Sequence, residues 1–172
     1  MKKNDKIVLV DEADNVIGYK EKFAAHKNPV PLHRAISIVI LSPNKKLMLL
    51  QKRSKKKPTW PLYWSNAVCS HPYKDESYQD AADRRLKEEM GFSTPLKELF
   101  HFVYEAKMDK TLGEHELDVV FEGMYEGLVK PDPNEAADFK WVKVEELKKD
   151  IVKNPEIYTP WFKMILVRLR IV

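Results

Sequence analysis

Two apolar runs, AISIVIL at 35–41 and KLMLLQK at 46–52, stand on either side of SPNK. Serine, proline and asparagine supply turn chemistry, so the stretch predicts a β-hairpin. Further short apolar runs follow the same punctuated style. IVLV at 7–10 is ended by DEAD, and LFHFVY at 99–104, ELDVVFEGMY at 116–125 and FKWVKV at 139–144 read as strands. Helices are fewer. In SYQDAADRRLKEEMG (77–91), Tyr78, Ala81, Ala82, Leu86 and Met90 recur at helical spacing. Ser77 and Asp80 form a capping start and Gly91 stands at the expected stop. VEELKKDIVKN (144–154) and TPWFKMILVRLR (159–170) predict two more helices, with Pro160 suited to a first turn. Many strands with a few interspersed helices predict an α+β fold with a mixed sheet, not a doubly wound parallel one. The length of 172 residues predicts a single domain over 1–172 with room for a real core.

Charge and cysteine usage narrow the classes. One cysteine, Cys69, cannot form an internal disulfide, which favours a reducing setting. No run approaches the roughly 18 apolar residues that a membrane span needs, and the opening apolar run is too short for a secretory core. The expectation is a cytoplasmic protein without a transmembrane segment. The net charge of +4 is modest, but KRSKKK at 52–57 gathers five bases in six positions. That run suits either a solvated loop or an anion site. Nucleic acid is a poor fit, since no recognition helix or interleaved aromatic pattern accompanies it. The apolar end, FKMILVRLRIV, reads as a core helix in preference to a dimer contact or a membrane-surface stripe, and the chain is expected to be a monomer or a weak dimer.

Several residues carry chemistry without declaring which. Cys69 and His71, two apart in SNAVCSHP, project to one side if extended. The thiol is then a buried filler, a metal ligand or a reactive group. Glu114 and Glu116 share one face of their predicted strand, opposite Leu117, Val119 and Phe121. Asp118 shares their side and reads as an ordinary solvated acid. His101 reads as structural or exposed. Arg84 with Glu88 and Arg85 with Glu89 are i, i+4 pairs of the kind that stabilise a helix surface by about 0.2–0.5 kcal/mol each.

Read outward from that helix, Glu76, Arg84, Leu86, Glu88, Glu89 and Gly91 fall in register with a Nudix box. Two positions depart. Ser70 stands at the opening glycine, and Arg85 replaces a carboxylate that helps hold divalent cations, adding a fixed positive charge. A hydrolase with this box is expected to be impaired. The segments EKFAAH (21–26), PLHRA (31–35), QKRSKKKPTWPLYWSNAVCSHP (51–72), GEHE (113–116) and TPWF (159–162) resemble, in order, the type 1 isopentenyl-diphosphate isomerases, a branch of the Nudix superfamily. The resemblance runs from about Lys22 to Trp161 and implies a Nudix-like mixed sheet flanked by helices.

The resemblance also implies roles. His26, His33, His71, Glu114 and Glu116 match a six-coordinate metal site suited to Mn²⁺, Mg²⁺ or Zn²⁺. Cys69 and Glu116 match the two proton-transfer groups. Glu116, assisted by Tyr104, is expected to protonate the alkene, and Cys69 to take the allylic proton. Trp161 matches the ring that faces the cationic carbon. Lys22, Arg53 and Lys57 match contacts to a small-molecule diphosphate, with Arg53 forking two oxygens. These cations are also expected to favour the thiolate of Cys69. A Mg²⁺ ion is expected between the diphosphate, Glu89 and the backbone carbonyl of Cys69. The implied reaction is isomerisation of isopentenyl to dimethylallyl diphosphate. Its rivals are a Nudix hydrolase of a nucleoside or other diphosphate, disfavoured by Arg85, and a non-catalytic diphosphate-binding protein.

Overall fold

The structure is a computed structural model and describes residues 6–172. Its centre is β3 (His33–Leu41), a strand buried along nearly its whole length. On one side β3 pairs in parallel with β8 (Gly113–Met124), from His33↔Glu116 to Leu41↔Met124. Its other side is shared among three partners. β1 (Lys6–Val10) meets its start, β6 (Val68–Ser70) its middle and β4 (Leu47–Arg53) its end. β7 (Leu96–Lys107) pairs outside β8, and β4 carries β5 (Trp64–Asn66) and β9 (Ala136–Lys143). Among the described residues the sheet has nine strands of mixed direction, as the α+β reading expects.

The predicted hairpin forms as β3 and β4. The helix predicted at 77–91 forms as α2 (Tyr78–Met90), after the four-residue turn α1 (Lys22–Ala25). Ser77 Oγ accepts from Asp80 N–H at 3.0 Å, and Gly91 closes the helix at φ 77°. The last helices are α3 (Val144–Lys153) and α4 (Pro160–Arg168). Sequence patterning found neither β2 (Val16–Glu21), an edge strand with exposed Val16 and Ile17, nor the three-residue β5 and β6. Those segments are too short or too exposed to carry a period-two signal, and pairing with β1, β4 and β3 holds them extended.

Alternation divides the sheet into two faces. Ile36, Ile38 and Ile40 of β3 and Leu117, Val119 and Phe121 of β8 pack with Ala81, Ala82, Leu86 and Met90 of α2. Each such large buried side chain stabilises by about 1.5–3 kcal/mol. The opposite face grades along its length. Val39, Leu41 and Val120 join Leu147 and Ile151 of α3 and Trp161, Phe162, Ile165 and Leu166 of α4. Towards the start of β3 and β8 the same face turns polar, with His33, Ser37, Glu114, Glu116 and Asp118. The C-terminal helix is therefore core, as expected. Among the described residues no helix is long and apolar enough to cross a membrane.

Gly91 is the one glycine with positive φ, and a Cβ there would stand 2.4 Å from the Lys130 carbonyl oxygen. Gly91→Ala is expected to cost about 1–3 kcal/mol, read as a lower guanidinium midpoint at unchanged slope.

Candidate active site

The parallel register of β3 and β8 sets His33 beside Glu116, and the antiparallel register of β7 sets Tyr104 on Glu116's other side. His26 arrives from the end of α1 and His71 from just past β6. One donor atom from each of His26, His33, His71, Glu114 and Glu116 lies within 4.8 Å of all the others. Local chemistry aims them. His26 Nδ1 is 2.6 Å from the Lys22 carbonyl and His33 Nδ1 is 2.9 Å from that of Pro31. Each ring therefore donates through Nδ1 and turns Nε2 inward. Thr59 Oγ1–H donates to Glu114 Oε1 at 2.5 Å, and Tyr104 O–H donates to Glu116 Oε2 at 2.5 Å. The second oxygen of each carboxylate faces the histidines. Glu114 Oε2 is 3.1 Å from His26 Nε2, and Glu116 Oε1 is 3.1 Å from His71 Nε2.

The cluster fits a divalent cation. His33 Nε2 and Glu114 Oε2 are buried without a regular hydrogen bond, their nearest facing atoms being Glu116 Oε1 at 3.6 Å and His26 Nε2 at 3.1 Å. Buried polar groups left unpaired cost free energy that a shared cation would offset. Three nitrogens and two oxygens form a donor set that suits several first-row divalent metals.

Cys69 lines a small cavity together with Lys22, His26, Arg53, Lys57, His71, Glu114, Glu116 and Trp161. The cavity is tight, at about 30 Å³. The thiol donates to Asn66 Oδ1 at 3.1 Å, accepts from Trp161 Nε1–H at 3.0 Å and is 3.3 Å from Ser65 Oγ. Burial pushes the thiol up to about 11, over the opposing pull of Arg53. The expected thiolate enrichment by neighbouring cations is thus corrected, because desolvation outweighs them.

Three further readings change or sharpen. Asp118 is not a solvated acid. It is fully buried between β3 and β7, and Ser37 Oγ–H donates to its Oδ2 at 2.8 Å. Burial, then the Glu116 charge, pushes its carboxyl well above the usual range. Arg53 commits its Nε–Nη2 edge to the backbone, which leaves Nη1 for the cavity it lines. Nε and Nη2 donate to the carbonyls of Thr59 and Trp60, at 2.8 Å for the shortest, and the guanidinium sits 5.1 Å from the Trp161 ring centroid. His101 is exposed.

Glu89 is fully buried at the α2 side of the cations. Its Oε1 takes 2.6 and 3.2 Å bonds from Arg85, while Oε2 has only long contacts, 3.4 Å to Gln51 and 3.7 Å to Lys57. The other box acids are occupied too. Glu76 receives Arg84 at 2.7 and 2.8 Å, and Glu88 receives Arg84 at 3.0 Å and Arg85 at 2.8 Å. Sequence reading missed Thr59, Ser65, Asn66 and Glu135. The first three lie inside the long tryptophan-rich segment, whose polar positions carry no periodic signal of their own. Glu135 has none either.

A strand-rich sheet with α2 laid across it and a carboxylate-bearing helix beside a cation cluster defines a Nudix-type protein. The NUDIX domain model matches residues 31–162. Solved structures agree in fold: a Deinococcus radiodurans protein at TM-score 0.77 (18% identical, covering 95% of this chain and 98% of that one) and a MutT protein from Methanosarcina mazei at 0.65 (21% identical, covering 80% and 92%). Curated relatives are more specific. Isopentenyl-diphosphate Delta-isomerase 2 of Aromatoleum aromaticum is 46% identical over 96% of this chain and 86% of its own, and the isopentenyl-diphosphate Delta-isomerase of Serratia proteamaculans is 38% identical over 95% and 90%. The chain belongs, within the Nudix superfamily, to the isopentenyl-diphosphate Delta-isomerase family.

Thr59→Val removes the hydrogen bond that orients Glu114. It is expected to weaken divalent-metal binding about 10–100-fold, measured by chelator competition, while Thr59→Ser stays near the parent.

Proposed function

We propose that this chain converts isopentenyl diphosphate to dimethylallyl diphosphate by adding one proton to the alkene and removing another. The observation that carries the reading is the single cavity lined by the Cys69 sulfur, the Glu116 carboxylate, the Trp161 ring and the cations Lys22, Arg53 and Lys57. An unactivated alkene demands an acid on one face, a base on the other and little water between. Protonation of the terminal methylene carbon leaves positive charge on the tertiary carbon. Loss of a proton from the neighbouring carbon, on the diphosphate side, restores a double bond. One proton enters and one leaves, so the substrate's charge and composition are unchanged.

Glu116, with Tyr104 behind it, and Cys69 are the two ends of that exchange. In the forward direction we assign giving to the Glu116–Tyr104 side and receiving to the sulfur, so this direction requires the proton that burial holds on Cys69 to leave first, whereas the thiol as described is the form that starts the reverse reaction. Asn66, Ser65 and Trp161 fix where the sulfur points. Trp161 supports the cationic intermediate with its ring. It already holds a cation there, the Arg53 guanidinium, an attraction of about 0.5–2 kcal/mol.

His26, His33, His71, Glu114 and Glu116 would hold a divalent cation, Mn²⁺, Mg²⁺ or Zn²⁺, which when bound polarises Glu116 and fixes its orientation. Glu89 Oε2 and the Cys69 backbone carbonyl would hold a Mg²⁺ ion carried in with the diphosphate. Lys22 and Lys57 neutralise the diphosphate tail as point charges, and Arg53 acts chiefly by orienting the Thr59–Trp60 backbone. Hydrolysis is the weaker reading. It needs the box acids free to gather cations, whereas Arg84 and Arg85 occupy Glu76, Glu88 and Oε1 of Glu89, leaving Glu89 Oε2 alone for an ion.

Incubation with isopentenyl diphosphate and Mg²⁺ is expected to yield dimethylallyl diphosphate with no free phosphate or diphosphate, followed by ³¹P and ¹H NMR. Release of phosphate would favour hydrolysis, and no product would leave a binding role. Cys69→Ala and Glu116→Gln are each expected to lower kcat about 10²–10⁴-fold with the fold intact by circular dichroism. Chelator treatment is expected to abolish turnover, and added Mn²⁺ or Mg²⁺ to restore it.

A further inference from the structure

One carboxylate stands among the phosphate-side cations without a part in the chemistry. Glu135 lies in the segment between β8 and β9. Its Oε1 accepts from Arg85 Nη2 at 2.9 Å, and its Oε2 pairs with Lys57 Nζ. The backbone holds it in place, since Ser54 N–H donates to the Glu135 carbonyl and Glu135 N–H to that of Asp132, both at 2.9 Å. Glu135 lines one cavity with Lys22, His71 and Arg85, and an adjoining one with Lys22 and Lys57.

Charge is concentrated around it. Burial lowers Lys22, and Lys57 and Arg85 lower it further, so three cations crowd one space. Glu88 and Oε1 of Glu89 answer Arg85 along its own helix, which leaves Glu135 as the acid that bridges Arg85 to Lys57. Burial would raise the Glu135 carboxyl, but Lys57 and Arg85 together hold it down at about 2, so it is an anion throughout the neutral range. Two oxygens spread over a lysine and an arginine reproduce what one phosphate group would offer the same pair. A carboxylate can do so with one negative charge, and a diphosphate does it with more.

We propose that Glu135 is a built-in competitor for the substrate's diphosphate: it occupies Lys57 and Arg85 in the free protein and is displaced from them when a diphosphate arrives. Its place raises the threshold for binding. A dianionic monophosphate gains little by replacing a carboxylate, whereas a diphosphate gains a second phosphate's contacts, so the device selects for the longer anion. A merely structural Glu135 would have the opposite effect, because its removal would leave Lys57 and Arg85 disordered and binding weaker.

The inference rests on the diphosphate reading of the site given above, and calorimetry separates the two. Inorganic diphosphate and inorganic phosphate, each with Mg²⁺, are titrated into the full chain and into Glu135→Gln, with Glu135→Ala in parallel and thermal unfolding as the check on folding. The variants are expected to bind diphosphate about tenfold tighter and to lose part of the preference for diphosphate over phosphate. In turnover assays the change is expected in KM for isopentenyl diphosphate more than in kcat, since the lost competition acts on binding of the unreacting tail. The gain is expected to shrink in a Lys57→Met background, where the carboxylate has less to compete for. Unchanged or weaker diphosphate binding by the folded variants, with the parent binding normally, overturns the role of Glu135 and leaves the site reading standing. Absence of diphosphate binding to every form overturns both.

Discussion

The site depends on the parallel pairing of β3 with β8. A parallel pair needs a long crossover, and here the chain between the two strands supplies the tryptophan-rich segment, α2 and β7 before returning. The pairing places residues 83 positions apart side by side, His33 against Glu116. Because strand side chains alternate, a slip of one residue would turn Glu114, Glu116 and Asp118 onto the α2 face and bury three acids in its apolar packing. The register is therefore held by the same alternation that builds the core, and the cluster needs no separate device to assemble it.

Polar residues in that cluster are costly individually and tolerable together. His33, Glu89, Glu114, Glu116 and Asp118 are all largely or wholly removed from water. Each retains specific partners, and those partners decide which atom remains for a ligand: Thr59 and Tyr104 take one oxygen from Glu114 and Glu116, and backbone carbonyls take one nitrogen from His26 and His33. His33 Nε2 and Glu114 Oε2 are among the buried atoms left without a regular hydrogen bond. On the α2 side the pattern differs. There the acids are answered by arginines of the same helix, so the chain has turned a cation-gathering surface into an ion-paired one.

Much of this was legible in the sequence, and the exceptions have physical causes. The β3–β4 hairpin and α2 carry strong periods and local stop signals, so residues near each other in sequence declare them. The five metal-site residues and Cys69 were legible only through resemblance, since three histidines spread from 26 to 71 look like unrelated surface residues. Asp118 was misread because alternation reports which face a residue takes, not whether that face is later covered, and its cover comes from strands far away in sequence. Arg53 sits in a run of bases that all look alike, and only the tertiary structure reveals that its donors go to the Thr59 and Trp60 carbonyls. Glu135 has no neighbouring motif, and its meaning comes entirely from Lys57 and Arg85, 78 and 50 residues away.

The face that carries the cluster passes without a break into the apolar packing under α4. Trp161 belongs to both regions. It is nearly inaccessible to solvent, stands edge-on to Trp60 at 5.3 Å and touches the sulfur through its indole N–H. The dryness that the proposed carbocation requires thus draws on the folding core. Chemical fidelity and thermodynamic stability become a shared property: a loosened α4 would let a solvent molecule capture the cation, and the outcome would be a tertiary alcohol in place of an isomer.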